Sequence, residues 1–181
     1  MPPELQAAVV PGFGHAHKER MAAYRHFASF GALVSDECSG RVFARPGNPQ
    51  PIAWYQIGAR ETQKLLFGIA RTAEAFFEAG AREVYSGVAV EPILRSKGDA
   101  RSLEHRRIHA SRIEVMAFHP MGTVRAGARE LSACDPWGRL HGWQGIAVAD
   151  ASLFPTSNKI NPQLTIMALA HRAARLWAAT G

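Results

Sequence analysis

The stretch RETQKLLFGIARTAEAFFEA, residues 60–79, constrains the fold more than any other part of the chain. Leu65, Leu66, Ile69, Ala73, Phe76 and Phe77 recur at three- and four-residue spacing, so a helix lays them along one side. Gly80 follows where a left-handed residue can close a helix without a Cβ penalty. A helix with one apolar side must set that side against something. Upstream, FASFGALVSDE and GRVFARP read as strands joined at CSG, residues 38–40. PIAWYQIG, beyond the turn-rich RPGNPQP, reads as a third strand, and residues 83–85 as a short fourth. Strands beneath one long helix form an α+β layer with an antiparallel sheet.

The remainder is less regular. Residues 92–111 are polar, with a short helix capped by Asp99. RIEVMAF, residues 112–118, is strand-like and runs into the small-residue loop HPMGTVRAG. GRLHGWQGIAVAD reads as two short strands with a turn at HGWQG, the run 146–149 being a buried strand. A last helix covers 162–178. These elements divide the chain into an irregular segment at 1–25, a sheet-plus-helix portion at 26–118 and a loop–strand–helix portion at 119–181.

With 181 residues, 47% of them hydrophobic, the chain can bury a core. No apolar run is long enough to span a bilayer. No basic segment followed by an apolar one marks a signal peptide at the start. Cys38 and Cys134 make neither a disulfide framework nor a zinc site, which leaves the compartment unassigned with a reducing, cytoplasmic one ahead. The net charge of +6 peaks in RSKGDARSLEHRRIHASR, residues 95–112. No aromatic residues alternate with those charges, so the stretch reads as a solvated face and nucleic acid is not an expected partner. His105 and His109, at i and i+4, and the pair His15 and His17 lack a ligand set around them, so no metal is expected. Ser152, His119 and Asp150 lack the G-x-S-x-G elbow of a hydrolase.

Two places can carry chemistry. Asn161 is a capping residue type and Pro162 suits the first helical position, so the pair sets the start of the last helix. Free N–H groups and the positive end of the helix dipole then face whatever lies beyond, with the Thr165 hydroxyl one turn in. The same features also describe an ordinary capped helix docked on a sheet by Leu164, Met167, Leu169, Ala170, Ala173 and Leu176. His119 stands before Pro120, which keeps it out of helical geometry. Gly122 and Gly127 would let backbone approach a ligand. A histidine there is either a surface imidazole or a base suited to neutral pH. Asp150, after the apolar run, is either at a ligand crevice or capping the next turn.

HPMGTVRAG, DPWGRLHGWQGIAVADASLFPTS and NPQLTIMALAHRAA, in that order and closely spaced, resemble the C-terminal part of the glucose–methanol–choline (GMC) oxidoreductases, flavin enzymes that oxidise alcohols. The likeness is greatest to the bacterial long-chain-alcohol oxidase and cholesterol-oxidase-like branches. RHFASFGALVSDECSGRVF through FEAGAREVYSG is similar to the family's substrate-binding sheet and helix. The resemblance implies an antiparallel substrate domain with a long covering helix at 26–118, and the strand–loop–helix part of an FAD-binding, α/β domain at 119–181. It implies that His119 removes the hydroxyl proton, that Asn161 holds the substrate oxygen, and that hydride passes to flavin N5. It further implies that Asp150 and Ala151 lie near the FAD diphosphate and ribityl chain, and that Asn161, Pro162, Gln163 and Thr165 lie at the isoalloxazine. An apolar alcohol is the implied substrate. Ala126 stands where the family has Met, and Asn158 and Lys159 where it has small residues.

The family's adenosine cradle is a glycine-rich βαβ unit. GFGHAH, residues 12–17, has His17 in place of the third glycine and no strand before it, so it reads as a loop. The expectation is therefore a C-terminal fragment that relies on a missing N-terminal FAD-binding domain or a partner chain. The alternative is a truncated or non-catalytic subunit that does not bind FAD alone.

Overall fold

The computed structural model describes residues 2–37 and 40–180. Helices α1 (Pro3–Val9), α2 (Gly14–Ala22), α3 (Ala59–Glu78), α4 (Lys97–Glu104) and α5 (Gln163–Thr180) accompany strands β1 (Gly40–Arg45), β2 (Asn48–Tyr55), β3 (Val84–Tyr85) and β4 (Ile93–Leu94). The class is α+β, with antiparallel pairs β1–β2 and β3–β4 as separate two-stranded sheets. No described helix is long and apolar enough to cross a membrane. The chain divides into two compact units, Met1–Val34 with Ile57–Met116, and Ser35–Gln56 with Ala117–Gly181.

In the first unit α3 is the organising element. Leu66, Ala70 and Ala73 are fully buried on the predicted side, with Leu65, Ile69 and Phe77 packed beside them. Burying a leucine completely contributes about 1.5–3 kcal/mol. The opposing layer is Val88, Leu94, Ala100, Leu103 and Ile113, from β4, α4 and the connecting loops. The helix end is set locally. Gly80, at φ +92, donates to the Phe77 carbonyl at 3.1 Å and Ala81 donates to the Phe76 carbonyl at 2.9 Å, the paired bonds of a Schellman motif.

Helix α4 is capped by Ser96, whose hydroxyl accepts from the Asp99 amide. The Asp99 carboxylate accepts from the Ser96 and Arg95 amides at 3.0 and 2.8 Å. The sequence placed Asp99 itself at the cap; it lies at the third helical position, completing a capping box. Those amides hold its carboxyl below the usual aspartate range. Four of the six lysines and arginines of the basic stretch are paired in place. Arg95 pairs with Glu83, Lys97 with Glu78, Arg101 with Glu74 and Arg106 with Glu91.

Four sequence expectations are corrected. Residues 1–25 are not irregular: α1 and α2 occupy much of them, and GFGHAH opens α2 rather than forming a loop. Gly12 and Gly14, at φ +101 and +60, make the bend between the helices. Residues 27–37 form no strand, and the hairpin joins GRVFAR to NPQPIAWY instead. Pro46 fixes one central turn position and Gly47, at φ +74, supplies the other, the residue pattern of a type II turn. The expected turn at CSG falls partly on residues 38 and 39, outside the described residues. The covering helix α3 packs on α4, β3 and β4 of its own unit, while the hairpin belongs to the other. Residues 112–118 make only an isolated bridge, Val88 to Ile113.

Candidate functional site

All the residues singled out for chemistry lie in the second unit. Their scaffold is a set of loops zipped by backbone hydrogen bonds rather than a sheet. The loop after His119 runs along residues 151–153. Gly122, Val124 and Ala126 donate to the carbonyls of Ala151, Ser152 and Leu153 at 3.2, 3.0 and 2.9 Å. On its other side the Arg125 carbonyl accepts from Ala133 and Cys134, each at 3.1 Å. Gly122 has φ +76, and a Cβ there would stand 3.0 Å from the Phe154 carbonyl oxygen. Glycine is favoured there by the left-handed backbone and by this tight approach of the chain to itself. Gly127 has ordinary contacts only.

The DPWG turn braces this loop. Asp135 Oδ1 accepts from the Trp137 and Arg139 amides at 2.8 and 2.9 Å. Gly138, at φ +85, is bonded through its carbonyl to the Val148 amide at 2.8 Å. The Cys134 thiol is fully buried, and burial followed by the neighbouring Asp135 charge pushes it up from its ordinary value. The predicted strands of GRLHGWQGIAVAD are reduced to isolated bridges, Cys134 to Leu140 and Arg139 to Ala147. Residues 146–149 are not buried: Ile146 is 44% exposed. An apolar run announces a buried strand only where flanking strands cover both its sides, and none does so here.

Asp150 caps the next turn. Its Oδ1 accepts from the Ser152 amide at 2.8 Å and from the Ser152 hydroxyl. Of the two roles open to Asp150, the capping one is thus occupied, and Ser152 is engaged with Asp150 rather than with His119. Ala151 is half-buried, its carbonyl taken by Gly122 and Phe154.

Helix α5 begins one residue later than the Asn–Pro pair predicts. The first helical bond runs from the Ile166 amide to the Pro162 carbonyl at 2.8 Å. Proline keeps an acceptor while lacking a donor, so Pro162 serves as the first acceptor and Asn161 falls just outside the helix. Asn161 is exposed and its carboxamide bonds to no described residue. Gln163 and Thr165 are exposed, whereas Pro162 is buried. The helix docks by a narrow stripe: Pro162 and Ala173 are buried, and Ile166 and Ala170 are half-buried. Its tight packing by every apolar residue is not observed, since Leu164 is 81% and Met167 60% exposed. On the docked side Arg172 lies 3.7 Å from the Trp137 ring centroid, a cation–π contact to the DPWG turn.

His119 is exposed, at the start of the loop anchored to 151–153. No hydrogen bond joins it to Asn161. The two are related through the scaffold: the loop after His119 is bonded to residues 151–153, and Asn161 follows Leu153 by eight residues. Sequence reasoning overlooked their neighbours. Phe118 is 72% exposed beside His119, and Ile160 and Leu164, the former 66% exposed, flank Asn161. No periodic signal marks an apolar residue as exposed, so these could be found only from the coordinates. Lys159 is exposed at φ +67, a left-handed conformation that costs a non-glycine residue about 1–2 kcal/mol.

A cleft of about 200 Å³ in this unit is walled by Trp137, Leu153, Pro155, Leu169, Ala173 and Ala126. It contains neither His119 nor Asn161, so it is not the place where they would act. The alternative clusters are also accounted for. His105 ends α4 and His109 lies beyond it, bonded to Ser111, so the two do not share a helical face. Among the described residues no group of three or more His, Cys, Asp or Glu is placed to hold a metal ion.

Comparison with known proteins matches residues 39–170 to the sequence model of the family described as GMC oxidoreductase. An uncharacterized GMC-type oxidoreductase of Mycobacterium tuberculosis is 37% identical over 170 residues, 93% of this chain and 27% of that protein. Choline oxidase of Arthrobacter globiformis is 32% identical over 115 residues, 62% of this chain and 20% of its own length. An oxygen-dependent choline dehydrogenase of Escherichia coli is 32% identical over 116 residues, 64% of this chain and 20% of its own. The chain spans about a quarter of the length of the curated relatives it matches.

Proposed function

We propose a function from one premise: this chain belongs to the GMC oxidoreductase family. On that premise it supplies the substrate-handling end of an FAD-dependent oxidation of an alcohol to a carbonyl compound. The observation that carries the reading is the free start of α5. Asn161 stands outside the helix with its carboxamide uncommitted, on the same bonded scaffold as the His119 loop.

The residues present fit one part of the cofactor. The amides of Gln163, Leu164 and Thr165 precede the first helical donor, so they have no partner inside the helix. With the positive end of the helix dipole they suit the electron-rich edge of a flavin ring. FAD, when bound there, would take up the hydride released from the alcohol carbon. His119 would accept the hydroxyl proton on a ring nitrogen, leaving oxygen free to form the carbonyl. Asn161 would orient that oxygen through its amide N–H. Asp150 and Ala151 would lie by the diphosphate and ribityl chain. Gly12 and Gly14 do not form the adenosine cradle, since a helix, α1, and not a strand precedes them. The remaining cofactor contacts then come from polypeptide outside this segment, joined to it or associated with it. Residues 26–118 would contribute to the substrate domain and 119–181 to catalysis and flavin contact.

Phe118, Ile160 and Leu164, exposed and within three residues of His119 or Asn161 in the sequence, favour an apolar alcohol, long-chain or sterol-like. The exposed Lys159 two residues before Asn161 disfavours a cationic substrate such as choline.

The test is flavin reduction. Expressed with the polypeptide that completes the family's length, the chain should carry flavin absorbance that an apolar alcohol bleaches. His119→Ala should leave the colour and slow the bleaching roughly 10²- to 10⁴-fold, the usual worth of a general base. Bleaching at the parental rate would remove His119 from the mechanism, and a colourless assembly would remove FAD.

A further inference from the structure

We draw no further inference here: the strongest candidate, the second apolar face of α5 carrying Leu164 and Met167, carries nothing because nothing in the structure shows what covers it.

Discussion

Replacing Gly138 by alanine should cost more than replacing Gly142, although both glycines have nearly the same left-handed backbone, φ +85 and +78. That conformation alone penalises a Cβ by about 1–2 kcal/mol. At Gly142 nothing lies within 4 Å of the added carbon, so the penalty stops there. At Gly138 the added carbon would stand 2.2 Å from the Val148 carbonyl oxygen and 3.2 Å from Leu153 Cδ1. Residue 148 must then retreat by on the order of 1 Å to restore contact near 3.5 Å. The retreat breaks or stretches the bond from the Val148 amide to the residue 138 carbonyl, worth about 0.5–1.5 kcal/mol. Together these come to about 1.5–3.5 kcal/mol for Gly138→Ala, with a middle value of about 2.5 kcal/mol. For a unit of this size each kcal/mol moves the melting midpoint by roughly 4–8 °C, so a drop of about 10–20 °C is expected, and about half of that for Gly142→Ala. Urea unfolding followed by circular dichroism, with the slope checked for constancy, gives both values on one scale. Equal losses for the two variants would refute the argument that the DPWG turn is held against residue 148 by backbone proximity.

Leu66→Ala should destabilise the first unit by about 2–5 kcal/mol, read by denaturant midpoint, because Leu66 is fully buried between α3 and its neighbours. Glu74 is held below the usual glutamate range first by its hydrogen bond from Arg101 and also by the charge of Arg71. A depressed folded value means that its contribution is present above the unfolded pKa, about 4.3, and is lost as pH falls through the folded value. Glu74→Gln should therefore flatten the acid limb of the stability curve while changing nothing in its shape above pH 6, and an unchanged acid limb would discount the ion pair. Cys134, buried and with its thiol pushed up, should resist a thiol reagent in the native chain and react on unfolding, as peptide mapping by mass spectrometry would show. In the completed flavoenzyme Asn161→Asp should slow flavin reduction, since a fixed carboxylate opposes negative charge arriving at the ring; normal reduction would count against Asn161 as the group at the flavin edge.

The chemistry of the candidate site was legible only as residue types. His119, Asn161 and the helix start were visible in the string, yet the exposure of both side chains and the anchoring of one loop on 151–153 were not. Asp150 shows the difference well. Its carboxylate could serve a ligand or a turn, and the bond that its Oδ1 accepts from the next-but-one amide shows the turn role. Gly122 was read as a place of close backbone approach, and within the chain the Phe154 carbonyl makes one such approach.

By itself the string determined whatever depends on neighbours within a turn of helix. The span of α3, its buried side and its Gly80 closure follow from spacing and from bonds between residues a few positions apart. What required the assembled chain was everything set by distant partners: the hairpin closing at Pro46–Gly47, the largely exposed run at 146–149 held by an isolated bridge rather than a sheet, and the docking of α5 by one stripe while Leu164 and Met167 stay open. An apolar residue is buried only if another segment arrives to cover it, and a strand exists only if another donates to it. Neither condition is written in the residue's own vicinity.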